Sequence, residues 1–169
     1  MSAAYRFCSV ATAIALAGCA YSWRPSVPAD MRTVAVPAFR NSTDVTELGA
    51  AVTRQVLREF QREGTFRIVR LDDAALEVQG EMKSAKSDSV AYQRSTGART
   101  REHRFVAKAV VSFIDRKSGR VLVDNRTYTA ETTFLANDDV LTGERDASGR
   151  LAEEIARQVV DDALALKWE

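Results

Sequence analysis

The chain has 169 residues, 24 basic and 23 acidic side chains, and two cysteines. A length of this order supports one domain with its own hydrophobic core. The near-zero net charge argues against a general nucleic-acid binder or a polybasic membrane binder, so any electrostatic role must come from local clustering.

The amino-terminal residues have the pattern of a secretory signal. One positive charge, Arg6, precedes about ten apolar residues, fewer than the roughly 20 that span a bilayer. The run ends on Leu16-Ala17-Gly18-Cys19, which resembles the lipobox of bacterial lipoproteins. The resemblance implies a signal peptide over residues 1–18, cleavage before Cys19, and acyl chains on its sulfur and its new amino terminus. An ordinary signal with a chance cysteine is the alternative.

Cleavage at this point would leave Cys19 as the only cysteine, because Cys8 lies in the signal. No intramolecular disulfide is then possible. The acyl chains would be the only membrane anchor, and stable anchoring takes more than one chain. Residues 19–31 contain Pro25 and Pro28 and predict a lipidated amino terminus with an extended tether. A single domain is predicted over residues 32–169.

The first part of that domain predicts a strand followed by a helix. Residues 33–36 have strand composition and stop at Pro37, and residues 39–43 predict a turn-rich loop. A helical stripe with a period of four follows, with Leu57 beside it: Leu48, Val52, Val56 and Phe60. Asp44 and Glu47 predict a capping box at its start, and Gly64 predicts its end.

The next part of the chain is rich in strand patterns. Residues 66–71 predict a second strand, and residues 76–83 alternate between apolar and polar, as a half-buried strand does. Residues 84–100 are polar and predict a long loop or a hairpin tip. The longest strand signal, residues 104–114, has an apolar face: Phe105, Ala107, Ala109, Val111 and Phe113.

A tight turn over residues 115–119 leads into a partner strand over residues 120–130. A final helix is predicted from one apolar stripe: Leu151, Ile155, Val159, Ala163 and Leu166. Asn137 or Asp138 could cap it, whereas Gly143 and Gly149 weaken its front part. The element order predicts an α+β fold, with two helices packed on one face of a four- to five-stranded, mostly antiparallel sheet.

No catalytic constellation is evident. His103, the only histidine, is predicted to be an exposed residue at the start of a strand. There is no G-x-S-x-G elbow and no Gly-rich phosphate loop. One histidine and one lipidated cysteine fall short of a typical metal-ligand set. The sequence therefore predicts a protein that is not an enzyme, with no cofactor, no metal site and no nucleic-acid partner.

Two features stand out from this background. The first is a basic cluster, opposed only by Asp88 and Glu102: Lys83, Lys86, Arg94, Arg99, Arg101, Arg104 and Lys108. It predicts either an anion site for phosphate or carboxylate groups or a solvated hairpin with ordinary surface charge. The second is the apolar back of the long strand: Val106, Val110 and Ile114. Either a partner protein or a more closed sheet would cover these residues.

Several motifs, in their order and spacing, resemble the LptE family. They are the lipobox, the proline-containing tether, the 34–37 strand end with the 39–43 loop, and the 113–122 hairpin. The helix that ends at residues 62–64 and the carboxy-terminal helix agree with the same pattern. None of these motifs is catalytic.

The resemblance implies a lipoprotein of the outer membrane, anchored on its periplasmic side. Such a protein plugs the LptD outer-membrane β-barrel, helps it assemble, and contacts lipopolysaccharide during transport. The basic cluster could then meet the phosphates of lipid A, and the apolar back could meet the barrel. No family motif maps residue by residue onto the cluster, so that assignment depends on charge alone.

A second resemblance stays open at this point. Residues 34–37 and 41–43, a helix, and residues 64–69 also resemble periplasmic β-α-β modules. These modules occur in lipoprotein activators of cell-wall synthases and in curli-secretion lipoproteins. A protein of that kind would bind a synthase or assemble with itself.

Overall fold

Three long antiparallel strands form the centre of the molecule. The computed structural model describes residues 27–95, 98–136 and 140–168, and the long strands are β4 (Leu76–Ser95), β5 (Ala98–Asp115) and β6 (Val121–Ala136). Three short strands precede them: β1 (Thr33–Ala35), β2 (Arg40–Asn41) and β3 (Arg67–Ile68). Helix α1 (Leu48–Glu63) lies between β2 and β3, and helix α2 (Val140–Leu164) follows β6.

The strands form one mixed sheet in the order β3-β1-β4-β5-β6, and β2 also pairs with β4. The short strands pair in parallel, whereas β4, β5 and β6 are antiparallel to one another. Both helices contribute their apolar stripes to the core on one face of this sheet. The predicted α+β class is confirmed, with six strands where four or five were expected.

Helix α1 forms where the stripe predicted it. Its core side chains are at most 1% exposed: Leu48, Val52, Val56 and Phe60. Leu57 is half-buried. Glu47, which precedes the first helical residue, makes no side-chain capping bond, so the predicted capping box with Asp44 is wrong. Gly64 ends the helix at φ 81°, a conformation that glycine adopts without the cost of a Cβ.

The second predicted strand is shorter than its composition indicated. Only Arg67–Ile68 pairs, and a 3₁₀ turn follows at Leu71–Asp73. Phe66 lies outside the strand but is buried, with its ring edge-on to Phe60 at 5.4 Å between centroids. Phe66 therefore packs into the core although it lies just before the paired residues.

The polar stretch over residues 84–100 is a hairpin and not a long loop. Strand β4 continues to Ser95 and β5 begins at Ala98, so the hairpin alternative is the correct one. The tip at residues 96–97 lies outside the described part of the chain. Register shifts between Met82 and Ser84 and between Ser89 and Ala91 mark two bulges in β4.

The core lies between the helices and one face of β5. The five predicted inward residues of this strand are all 0% exposed: Phe105, Ala107, Ala109, Val111 and Phe113. From α2, Leu151, Ile155, Val159 and Ala163 are buried as predicted, and Leu166 is buried just beyond the helix end. The candidate caps of α2, Asn137 and Asp138, lie outside the described residues.

Part of the predicted tether packs against the domain. Val27 is 3% exposed and Met31 is 9% exposed. Lys117, in the 115–119 turn, forms an ion pair with Asp30 at 2.8 Å. The hydrogen bond from Lys117 holds the pKa of this carboxyl below its usual value. Gly119 in the same turn has φ 72°, as the predicted tight turn requires.

A buried polar contact joins β6 to α2. The Tyr128 hydroxyl, on a side chain that is 4% exposed, donates to Asp162 Oδ2 at 2.6 Å. Arg126 reaches the same oxygen at 3.1 Å. Burial, followed by the bond to Asp162, raises the pKa of Tyr128, so the phenol stays protonated near neutral pH. This contact fixes how the helix lies over the last strand.

A glycine in β4 provides room for an aromatic ring. A Cβ built on Gly80 would lie 2.1 Å from Phe39 Cε1, and the Phe39 ring is 5% exposed. The loop between β1 and β2 therefore packs directly onto the β4 backbone. Gly149 in α2 is different, because a Cβ at that position meets nothing within 4 Å.

The same substitution at these two glycines should have opposite effects. Gly80→Ala should lower the free energy of unfolding by about 1–3 kcal/mol, because the buried ring must shift. Gly149→Ala should raise it by up to about 1 kcal/mol, because alanine favours a helix interior. Urea unfolding followed by circular dichroism measures both variants. Equal effects of the two substitutions would contradict the packing of Phe39 on Gly80.

Candidate functional site

The open face of the sheet is the candidate site, and it lies opposite the helices. It is defined on β5 by residues that alternate with the buried ones: Arg104, Val106, Lys108, Val110, Ser112 and Ile114. The residues that alternate with them, from Phe105 to Phe113, are fully buried, whereas these six are half-buried or exposed. The period of a β-strand therefore separates the core from a second, solvent-facing surface.

The three aliphatic residues of the open face are half-buried. Val106 is paired with Lys86 on one side and Glu131 on the other. Ile114 is paired with Glu77 and Val121. These residues thus lie between side chains of the flanking strands, and contact of the three aliphatic residues with a partner protein stays a prediction. Val121 is still 49% exposed, and Leu135 at the far end of β6 is 63% exposed.

Two members of the predicted basic cluster are neutralised by ion pairs. Lys83 contacts Glu81 at 2.7 Å, and Arg104 contacts Glu131 at 2.9 Å. Glu81 also contacts Arg40 at 3.2 Å. Hydrogen bonds from Lys83 and then Ser42 lower the pKa of Glu81, so it stays ionised near neutral pH.

Lys86 and Lys108 are exposed, and within the described part of the chain neither has an ion-pair partner. The register pairs Lys108 with Ser84 and Thr129, and it pairs Lys86 with Val106. The two lysines are therefore diagonal neighbours on adjacent strands, roughly 7–8 Å apart in backbone position. Two ammonium groups and two hydroxyls could surround one phosphate group here.

The other three members of the cluster belong to the β4–β5 hairpin, and the structure describes only their backbone. Arg94 is paired in register with Arg99, and Arg101 is paired with Tyr92. Their side chains lie outside the described part of the molecule. The structure brings Lys86 and Lys108 together and leaves the roles of these arginines as predictions. Cys19 also lies outside the described residues, so its lipidation stays a prediction.

A groove of about 510 Å³ adjoins the open face where the β1–β2 loop meets β4 and β5. Val110 and Leu71 supply apolar lining, and Leu71 is 39% exposed. Glu77, also in the lining, is 3% exposed and accepts from Arg116 at 3.2 Å and Gln79 at 2.7 Å. The alternation over residues 76–83 predicts that Glu77 lies on a polar face. In the structure it is buried, and Arg116 of the 115–119 turn bonds to it.

His103 occupies the core side of β5 and not the start of a strand. The strand begins five residues earlier, and the imidazole stacks on Phe134 with 5.3 Å between ring centroids. It is half-buried, so the predicted exposure is wrong. Its Nε2 has no hydrogen-bond partner among the described residues. An aromatic packing role fits this position.

Over residues 27–95, 98–136 and 140–168, no group of three or more histidine, cysteine, aspartate or glutamate side chains has the geometry to hold a metal ion. In the same ranges, every helix is too short or too polar to cross a membrane. The candidate site is thus a surface of apolar, cationic and hydroxyl groups.

Several solved structures share the fold at low sequence identity. Protein XCC0632 from Xanthomonas campestris has 10% identity and a TM-score of 0.55, covering 85% of this chain and 88% of that one. A Helicobacter pylori protein described as a neuraminyllactose-binding hemagglutinin homologue has 10% identity and a TM-score of 0.53, covering 84% and 88%. The hypothetical protein CT253 from Chlamydia trachomatis has 13% identity and a TM-score of 0.52, covering 78% and 95%. These similarities concern the fold alone.

Among curated proteins, none matches this chain by sequence. A family model does match: LptE, described as lipopolysaccharide-assembly, aligns with residues 31–163. The match covers both helices almost entirely and all six strands. This protein therefore belongs to the LptE family of lipopolysaccharide-assembly proteins.

Proposed function

We propose that this protein is a lipoprotein of the outer membrane, anchored through Cys19 on the periplasmic side. In this role it plugs the LptD β-barrel, helps the barrel assemble, and assists lipopolysaccharide transport to the cell surface. Membership of the LptE family supports the process, and the sequence around Cys19 supports the anchor.

The open face is the observation that carries this proposal. It combines half-buried Val106, Val110 and Ile114 with two cations on neighbouring strands, Lys86 and Lys108, that have no ion-pair partner among the described residues. Lipid A presents the complementary chemistry, because it joins phosphate groups to acyl chains. The lysines would hold phosphate by charge-assisted hydrogen bonds, and the aliphatic residues would contact acyl chains or the barrel wall.

No bond is made or broken in this proposed role. The protein would lower the free energy of lipopolysaccharide at the barrel by binding it, and it would stabilise the barrel by filling its lumen. Anion contacts on an exposed surface are weak singly and are screened by salt. A site of this kind suits a cargo that must be released after binding.

Reversing the charge of Lys86 and Lys108 together to Glu should weaken lipopolysaccharide binding roughly five- to thirtyfold at low salt, about 1–2 kcal/mol. The difference should shrink at high ionic strength. Fluorescence titration with labelled lipopolysaccharide measures this. Arg54→Glu with Arg58→Glu, on the exposed side of α1, is the matched control and should bind as the unmodified protein does. Equal binding by all three proteins would make the lysines ordinary surface charges.

Cys19→Ser should abolish membrane attachment, since the acyl chains would have no acceptor. Metabolic labelling with a radioactive fatty acid measures the lipidation, and membrane fractionation measures the attachment. We expect label in the unmodified protein only, with the variant in the soluble periplasmic fraction. Label retained by the variant would refute lipidation at Cys19.

Purification of the lipidated protein from outer membrane tests the proposed partner. We expect a large β-barrel protein to co-purify in a one-to-one ratio. Recovery of a cell-wall synthase or a secretion assembly in its place would support the alternative periplasmic module. The Cys19→Ser protein serves as the control, because it should not reach the outer membrane.

A further inference from the structure

The edges of the sheet differ in whether they can accept another strand. An edge strand presents unpaired N–H and C=O groups, and a partner chain can pair with them. Strand β3 forms one edge but contains only Arg67–Ile68. Strands β4 and β6 are much longer, so either could pair with a longer partner segment if its edge is uncovered.

Helix α2 occupies the acceptors along the edge of β6. Gln158 Nε2 donates to the Thr129 carbonyl at 3.2 Å, and Arg150 Nη2 donates to the Thr133 carbonyl at 3.0 Å. The donors are eight residues apart on a helix, about 12 Å. The acceptors are four residues apart on a strand, about 13 Å. The helix therefore runs along this part of the edge in matching register and occupies two of its acceptors, which hinders a partner strand there.

The edge of β4 lacks such cover beyond β2. Strand β2 pairs with Glu81 and Met82, and the last bond on this side joins the Ser42 N–H to the Met82 carbonyl at 3.0 Å. Between the two bulges the register is regular from Ser84 to Ser89, and residues 84–88 form most of this stretch. Within the described residues, no strand or side chain is bonded to the backbone of this stretch on the side away from β5.

The hairpin register identifies which groups face outward. The Asp115 N–H donates to the Arg120 carbonyl, so the odd residues of β5 bond toward β6 and the even ones toward β4. The even residues of β4 in this stretch pair with even residues of β5, as Lys86 does with Val106. The peptide groups of Ala85 and Ser87 therefore face the open edge.

We propose that an extended segment of the barrel partner, with an acidic and a basic side chain opposite Lys86 and Asp88, adds as a strand to β4 alongside residues 84–88. The inference rests on the proposed function, because it takes the barrel protein as the partner. The charges of the segment follow from Lys86 and Asp88, which are both exposed on the open face beside this edge.

The protein's own tether is the competing occupant of this place. Val27 accepts a hydrogen bond from Arg32, just before β1, and β1 pairs with the first residues of β4. Residues 19–26 of a chain cut before Cys19 can extend at most about 29 Å. The distance along β4 from Leu76 to Ser84 is about 26 Å. Slow exchange of the Ala85 and Ser87 amides in the protein alone would show that the tether occupies this edge and would overturn the addition of a barrel segment.

Hydrogen exchange tests the strand directly, with the lipidated protein alone and in its purified complex with the barrel. We expect the amides of Ala85 and Ser87 to exchange at least tenfold more slowly in the complex. The amides of Lys86 and Asp88 should change little, because they already bond to β5. This alternation distinguishes an added strand from a general loss of solvent access.

Proline substitution supplies the matched variants. Ser87→Pro removes an outward N–H and leaves the β5 bonds intact, so it should block the added strand and loosen the complex tenfold or more. Thr127→Pro, at an outward position on the β6 edge, should leave the complex unchanged. Circular dichroism of both variants confirms that each is folded.

The outcomes separate the two proposals. A complex that forms with unprotected Ala85 and Ser87 amides, or with equal affinity for Ser87→Pro, overturns strand addition and leaves the proposed function standing. Protection of alternate amides on β6 would also overturn it. Failure of any barrel to co-purify overturns the proposed function, and the added strand with it.

Discussion

The alternation of side chains along β5 is the constraint on which the rest of the molecule depends. Five consecutive inward positions, from Phe105 to Phe113, are fully buried in one core to which both helices contribute, and helix α2 packs against this strand. Because successive side chains point to opposite faces, the same strand also presents the six outward residues of the open face. With both helices committed to one side, the outward set forms a surface of its own.

The composition of that surface follows from the flanking strands. Val106 lies between two long polar side chains and Val110 lies beside a groove, so neither is fully exposed. Aliphatic residues beside long polar side chains are only partly exposed to solvent, and those side chains can move aside when a partner binds. This explains how the chain can carry an apolar surface on the side of the sheet that no helix covers.

Much of this fold could be predicted because burial imposes a period on the sequence. The α1 stripe, the 76–83 alternation and the inward residues of β5 all follow from one-sided burial. The hairpin over residues 84–100 could not be distinguished from a loop, since small polar residues occur on both of its faces and no period results. The burial of Glu77 could not be predicted from the sequence either, because its partner Arg116 lies 39 residues away.

Register also explains why Lys86 and Lys108 have no ion-pair partner within the part of the chain that the structure describes. Seven cations within one stretch of sequence look equivalent. In the structure, however, Arg104 forms an ion pair with Glu131 on β6, and Lys83 forms one with Glu81 on its own strand. Lys108 is flanked in register by Ser84 and Thr129, hydroxyl residues that cannot neutralise it. A shift of two residues in the pairing of β6 would bring Glu131 opposite Lys108. The pairing of the strands, more than the number of basic residues, therefore leaves two cations available for an anionic ligand.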